Sequence, residues 1–478
     1  MIRTLRLPLT VALLACATRN AVPPPVHSVD DADPELIARI VDPVIRRAMA
    51  EDGIPGAAFI FVKDDRVILA HHYGFADRER GQLADERTVW PLASISKVFT
   101  ATAALQLVDR GALTLYGDIN SYLVRVAAPA THGTITLANL LSHTAALDEL
   151  PGRQFDPAKG HAPETAEFLR GRLISYRAPG ASTAYSTYGI ALAAVAVEDA
   201  AGLPLEEFLR RHVFEPCGMA SARFMRRTGD DEGVATPYAV QNGAAQRIPH
   251  EWYATPAASS LVATSSDVAR FIGLHLRDGR CGDRRILSEQ LIQAMRTQQA
   301  TVHPWVPGWG YGFQIDGENS RWTAEHGGDI GGFSALLTLV PKEGTGFFIV
   351  HHGEGHGLRF RVKQALFDAL YPDPEPRPAP VPAPASAAAL REYAGRYRSS
   401  LSCHTCPNTR GAVEFEVAVR DDGYLELWGQ RWVALDNDRF IRVDGEARLA
   451  FGRDPRGRIT AVSGGSWRVA ERIEIGAD

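Results

Sequence analysis

The chain has 478 residues, of which 45% are hydrophobic and 22% charged, and carries a formal net charge of −5 at pH 7. That length exceeds one ordinary core and points to two domains of a globular protein. The slightly acidic balance excludes a basic footprint for nucleic acid, and no internal run is long and apolar enough to span a bilayer.

Residues 1–16 read as an export signal. Met1-Ile2-Arg3-Thr4-Leu5-Arg6 is basic, Leu7 to Ala15 is short and apolar, and Cys16 follows Leu13-Leu14-Ala15. The end resembles a bacterial lipobox with Cys16 as the lipidated residue; Ala15-Cys16-Ala17 also fits an ordinary A-x-A cleavage site. We favour the lipoprotein reading, which makes the chain an exported, periplasmic protein held to the membrane through Cys16, with 17–32 as a flexible tether. The other four cysteines, Cys217, Cys281, Cys403 and Cys406, either pair as Cys217–Cys281 and Cys403–Cys406 in an oxidising compartment or stay inert thiols. A zinc site is disfavoured, because only His404 accompanies the Cys403/Cys406 pair.

Asp33-Pro34 opens a helix with Leu36, Ile37, Ile40, Val41 and Val44 on one face and a kink expected at Pro43. Gly53-Ile54-Pro55-Gly56 ends it. Ala57 to Val62 and Arg66 to His72, joined at Asp64-Asp65, form a hairpin.

Next comes Ser94-Ile95-Ser96-Lys97. Val98, Ala101, Leu105 and Val108 follow with helical periodicity as far as Gly111, which places Ser94 in the first turn and Lys97 one turn on, on the same face. A serine hydroxyl needs a base within hydrogen-bond reach. A lysine desolvated in a cleft can lose its proton and serve as one, and helix N-terminal N–H groups can stabilise an oxyanion. Alone, the S-x-x-K spacing equally describes a capping serine and a solvated lysine.

Leu140-Leu141-Ser142-His143-Thr144 runs from an apolar stretch into a polar turn, and Pro179-Gly180 turns the chain before Tyr185-Ser186-Thr187. Helices are expected through Leu192, Val195 and Val197, over Leu205 to Phe214, and over Ser265 to Leu276. Trp309-Gly310-Tyr311-Gly312-Phe313 begins a strand-rich section. There His326-Gly327-Gly328-Asp329 precedes two apolar runs, Ser334 to Val340 and Gly346 to His351, and a helix covers Leu358 to Leu370. Alternate prolines from Pro372 to Pro384 form an extended spacer. Beyond it, short alternating strands at Phe415–Val419, Tyr424–Trp428, Trp432–Leu435, Phe440–Val443, Ala447–Phe451 and Ile459–Val462 imply a small antiparallel barrel.

Ser94-x-x-Lys97, Tyr185-Ser186-Thr187 and His326-Gly327-Gly328 ahead of a strand, in that order, resemble the motifs of the serine β-lactamase-related hydrolases. That group includes class C β-lactamases, D-alanyl-D-alanine carboxypeptidases, D-aminopeptidases and β-lactamase-like esterases. The resemblance covers roughly 33–371. It implies an α/β fold, an antiparallel sheet flanked by helices with a helical subdomain, and no cofactor. It also implies that Ser94 is acylated, that Lys97 is its proton partner and that Tyr185 shuttles a proton to the leaving group. Thr187, His326, Gly327 and Gly328 would line the substrate, and the Asp329 N–H would face that of Ser94 across the oxyanion. After a linker at 372–389, residues 390–478 resemble the lipocalin-like barrels appended to such hydrolases.

Two departures point away from a β-lactamase. Thr187 stands where an Asn amide usually grips an acylamide, and His326 lacks a permanent positive charge at neutral pH. A small ester substrate is therefore favoured over an amide or peptide, with a D-amino-acid peptidase, carboxypeptidase or β-lactamase as the alternative. A cell-wall sensor without turnover is the non-enzymatic alternative. Other residues have plainer readings. His143 is expected to bond backbone at a helix end, and Asp148 and Glu149 to be solvated. His351, His352, Glu354 and His356 fall where alternate residues face opposite ways, so no metal is expected, and Trp428 and Trp432 are expected in the barrel core.

Overall fold

A computed structural model describes residues 32–156, 162–227, 229–355, 357–372, 385–406, 413–420, 422–444, 447–465 and 469–473. The export signal with Cys16, most of the tether and 373–384 of the spacer lie outside the described residues.

Helix α1 (Pro34–Asp52) begins at Asp33, whose carboxylate accepts the Leu36 N–H at 2.7 Å. It continues through Pro43 as one helix and stops at Gly53, which takes φ 75°. Strands β1 (Gly56–Lys63) and β2 (Arg66–Asp77) form the expected hairpin, and β3 (Gln82–Leu83) adds an edge. After helices α2 (Ser96–Asp109), α3 (Thr187–Ala201) and α4 (Ser265–Leu276) come β4 (Gly308–Trp309), β5 (Gln314–Glu318), β6 (Arg321–Ile330), β7 (Phe333–Val340) and β8 (Thr345–His352), then helix α5 (Gly357–Leu370). The eight strands form one antiparallel sheet in the order β4-β5-β6-β7-β8-β1-β2-β3.

Strand alternation divides the sheet between two cores. Ala57, Phe59 and Phe61 of β1 pack under α1 and α5, whereas Ala58, Ile60 and Val62 join the larger core that encloses α2, α3 and α4. Helix α2 is buried continuously from Ser96 to Leu107, because it lies between the sheet and the helical subdomain. The helix expected over Leu205 to Phe214 changes winding at Arg210–Phe214, a π-helical turn. Pro216 has no N–H to give the His212 carbonyl, which accepts from Gln106 Nε2 instead. No single helix among the described residues is long and apolar enough to cross a membrane; α3 with the bent segment after it meets the length and composition criteria, but its apolar residues lie in the core.

The C-terminal strands β9 (Gly395–Ser399), β10 (Glu414–Val419), β11 (Leu425–Leu427), β12 (Gln430–Ala434), β13 (Arg439–Arg442), β14 (Arg448–Arg453), β15 (Ile459–Ser463) and β16 (Val469–Arg472) close into a barrel. The sequence pattern marks the inner six. β9 and β16 escape it because Arg396, Arg398, Glu471 and Arg472 dilute their apolar alternation, yet β9 pairs with both β10 and β16 to shut the barrel. Trp432 is in the core as expected. Trp428 is not: it stands in a turn at φ 54° with 41% of its surface exposed.

Both disulfides, Cys217–Cys281 and Cys403–Cys406, are formed. No group of three His, Cys, Asp or Glu side chains among the described residues could hold a metal ion.

Candidate active site

Ser94 sits in a 3-10 turn, Ala93–Ile95, that leads into α2 rather than in α2 itself. The turn is fixed from both sides. The Leu92 N–H donates to the Leu261 carbonyl at 2.8 Å, and Ser96 Oγ donates to Ala93 O while accepting the Leu261 N–H at 3.0 Å. Ala93 takes a left-handed φ of 49°, a strained conformation that persists because its surroundings over-determine it.

Lys97 is completely buried. Its Nζ donates to the Ala258 carbonyl at 2.8 Å and lies 3.0 Å from Ser94 Oγ, its hydrogen-bond partner. Burial drives the amine well below its ordinary pKa, and Arg153 adds to the shift while Glu149 opposes it. The Tyr185 ring lies 4.9 Å from Lys97 Nζ, and its hydroxyl interacts with Ser94. Burial raises the phenol pKa, partly offset by Ser94, so a protonated phenol and an amine shifted towards its neutral form flank the serine.

The sheet supplies the opposite wall. β5 pairs with β6 only as far as Glu325, so from His326 to Ile330 one edge of β6 is open towards the Ser94 turn. The Gly331-Gly332 loop is flanked by Ile330 and Phe333, and the ladder's alternation then makes Asp329–Ser334 a non-hydrogen-bonded pair, with the Asp329 N–H facing that edge. A Cβ on Gly328 would stand 2.3 Å from the Leu92 carbonyl oxygen. Only glycine lets strand and turn approach this closely. The Asp329 carboxylate points away, to Arg359 Nη2 at 2.8 Å and the Ser334 hydroxyl at 2.8 Å.

His326 Nδ1 donates to the Gly327 carbonyl at 2.6 Å. Burial, then the proximity of Lys97, lowers its pKa to about 3, so it is a neutral imidazole at pH 7. Thr187 is buried in the first turn of α3, behind Tyr185 in the chain. His143 Nδ1 accepts the Ser186 N–H at 3.2 Å and its ring packs on Tyr185 and Trp309, at 4.6 and 4.4 Å, which is the structural part expected of it.

The acidic pair is the chief correction. Asp148 is buried, where it accepts the N–H groups of His404 and Thr405 from the barrel; Glu149 accepts Ser186 Oγ and the Tyr188 N–H, both at 2.8 Å, beside Tyr185. Two adjacent carboxylates in a loop carry no sign in sequence of what distant residues will satisfy them. Trp309 and Arg359 also belong to the site, although the sequence pattern does not mark them for it: Trp309 packs on Tyr185 and His326, and Arg359 holds Asp329. The signal for Trp309 is its place in an aromatic-glycine run, a pattern that by itself marks only the start of strands.

Ser94, Tyr185, Gly327, Asp329 and Arg359 line one cleft of about 670 Å³. The cleft also carries Asp316 and Glu325, and its cation, Arg359, is held by Asp329 and by the Ala335 carbonyl at 2.6 Å.

A beta-lactamase family model matches residues 41–371. The chain is similar to esterase EstB of Burkholderia gladioli, 27% identical over 405 residues that cover 74% of this chain and 99% of that protein. It is also similar to penicillin-binding protein 4 of Amycolatopsis lactamdurans, 28% identical, covering 62% of this chain and 80% of that one. Its fold, barrel included, is similar to the crystal structure of SurE, with a TM-score of 0.68 at 21% identity over 92% of this chain and 99% of that one. The match over most of its length makes this chain a member of the beta-lactamase family.

Proposed function

We propose that the chain is a serine hydrolase that acts through a Ser94 acyl-enzyme, with small esters as its favoured substrates. The carrying observation is the buried Lys97 amine, shifted towards its neutral form and 3.0 Å from Ser94 Oγ. In this reading Lys97 accepts the Ser94 proton as Oγ attacks the substrate carbonyl. The N–H groups of Ser94 and Asp329 take the developing oxyanion, and Tyr185 protonates the leaving oxygen and takes the proton held by Lys97 in return, which restores the neutral amine. Water then repeats the cycle on the acyl-enzyme and releases the acid.

Ester preference rests on what the cleft offers a substrate. His326 is neutral, and Arg359 is engaged by Asp329, so a substrate carboxylate would meet the carboxylates of Asp316 and Asp329 without a committed cation. The similarity to EstB agrees with this preference. One observation favours the second reading, a D-amino-acid peptidase, carboxypeptidase or β-lactamase: the open edge of β6 is suited to pairing with the backbone of an extended acylamide. Two disulfides support export to an oxidising compartment.

Steady-state hydrolysis of p-nitrophenyl acetate by wild type and Ser94→Ala tests the proposal. Turnover lost in the variant supports it, and equal turnover in both refutes the nucleophile. A folded wild type that is acylated by a β-lactam but turns over no ester or peptide would favour the sensor.

A further inference from the structure

The barrel reaches the catalytic cleft. Leu401, Gly464 and Gly465 line it together with Phe360 and Pro307 of the catalytic domain. Leu401 and Phe360 are large apolar side chains left 46% and 45% exposed. Two exposed apolar side chains on a cleft that also presents Ser94 and Tyr185 call for an occupant that covers them.

Leu401 is held there by a short strap, Leu401–Cys406, which leaves β9 and is closed by the Cys403–Cys406 disulfide. The strap is pinned to the catalytic domain. Asp148, 1% exposed, accepts the His404 N–H at 2.8 Å on one oxygen, and the Thr405 N–H and hydroxyl at 2.7 and 2.6 Å on the other. The His404 ring lies flat on Tyr176 at 3.9 Å with 4° between the planes, and Arg177 Nε holds Glu471 of β16 at 2.7 Å. Glu149, the chain neighbour of Asp148, braces the Ser186 turn beside Tyr185. Adjacent carboxylates thus fix both the strap and the tyrosine.

Tyr185 indicates which part of a substrate lies here. It lines the same cleft, and it is the group that protonates the departing atom. Gly327, Phe360 and Leu401 line that cleft with it, so they can meet the portion of the substrate that departs past Tyr185. We infer that Leu401, on the barrel, and Phe360, on α5, form an apolar clamp that selects the alcohol or amine portion of the substrate, with Leu401 a specificity-determining residue. The inference rests on the Ser94 acyl-enzyme reading.

The test uses the full chain and two esters with a common acyl group, methyl acetate and hexyl acetate. Both give the same acetyl-enzyme, so the clamp acts on kcat/KM for acylation and leaves acetyl-enzyme breakdown unchanged. The wild type is expected to prefer hexyl acetate, and Leu401→Ser to reduce the hexyl-to-methyl ratio of kcat/KM by about tenfold. Phe360→Ser, on the other domain, is expected to do the same. Exposure of both side chains makes misfolding an unsuitable explanation for a loss, and a matching thermal melt checks it. A ratio unchanged in both variants overturns the inference, as does an altered breakdown rate with the ratio unchanged. Absence of wild-type turnover on both esters, or turnover surviving Ser94→Ala, would instead overturn the underlying hydrolase reading.

Discussion

Replacing Gly328 by alanine probes the contact on which the site is assembled. The new Cβ would stand 2.3 Å from the Leu92 carbonyl oxygen and 3.2 Å from Ala93 Cβ. A carbon needs about 3.5 Å, so strand and turn must part by about 1 Å. Neither can yield easily: Leu92 is tied to Leu261, and β6 is paired with β7 along its length here. Overpacking of this kind costs about 1–3 kcal/mol of stability. The displaced residues are those that carry Ser94 and the Asp329 N–H, and a misplacement of about 1 Å lowers kcat/KM by about 100-fold. Gly327→Ala is the graded comparison: its Cβ would stand 3.3 Å from the Arg359 guanidinium, a tight contact rather than an overlap, and is expected to cost less. The assay is kcat/KM on p-nitrophenyl acetate with a thermal melt of each variant. A Gly328→Ala enzyme with wild-type kcat/KM and an unchanged melt would refute the reasoning.

Further predictions concern charge and the domain contact. Activity should fall as pH drops through the Lys97 pKa, because the ammonium cannot accept the Ser94 proton; His326, with a pKa of about 3, contributes no limb near neutral pH. Glu149→Gln removes an influence that raises the Lys97 pKa and should move the acid limb of kcat/KM to lower pH, whereas Arg153→Met should move it higher. Shifts of the opposite sign in the pH–rate profiles would contradict Lys97 as the base. Asp148→Asn leaves at least one strap donor without its acceptor, at a cost of about 1–3 kcal/mol, and should lower the thermal midpoint; an unchanged midpoint would show that the strap is not pinned there.

The elements whose side chains follow one period were legible in the sequence. The Asp33 cap, the hairpin across Asp64-Asp65 and the two strands over Ser334 to Val340 and Gly346 to His351 appear where local pattern places them. The motifs mark Ser94, Lys97 and Tyr185, which meet where α2 and α3 begin, and His326, which lies within β6 opposite them. What escaped depends on contacts between segments remote in the chain. Asp148 waits for donors more than 250 residues away, and its separation of 256 from His404 leaves no local trace. Likewise β9 and β16 are strands because the barrel must close, although their own sequences are largely polar. Trp428, at the end of an expected barrel strand, reads as core, but it stands in a turn at positive φ and is exposed.

The central claim is a covalent bond to one serine. The direct measurement is mass spectrometry of the full chain quenched during turnover of a slowly deacylated aryl ester, followed by peptide mapping. The account predicts a single acyl adduct on the peptide containing Ser94, absent from Ser94→Ala. Turnover with the adduct on another residue, or no adduct in a burst-phase sample, would contradict it.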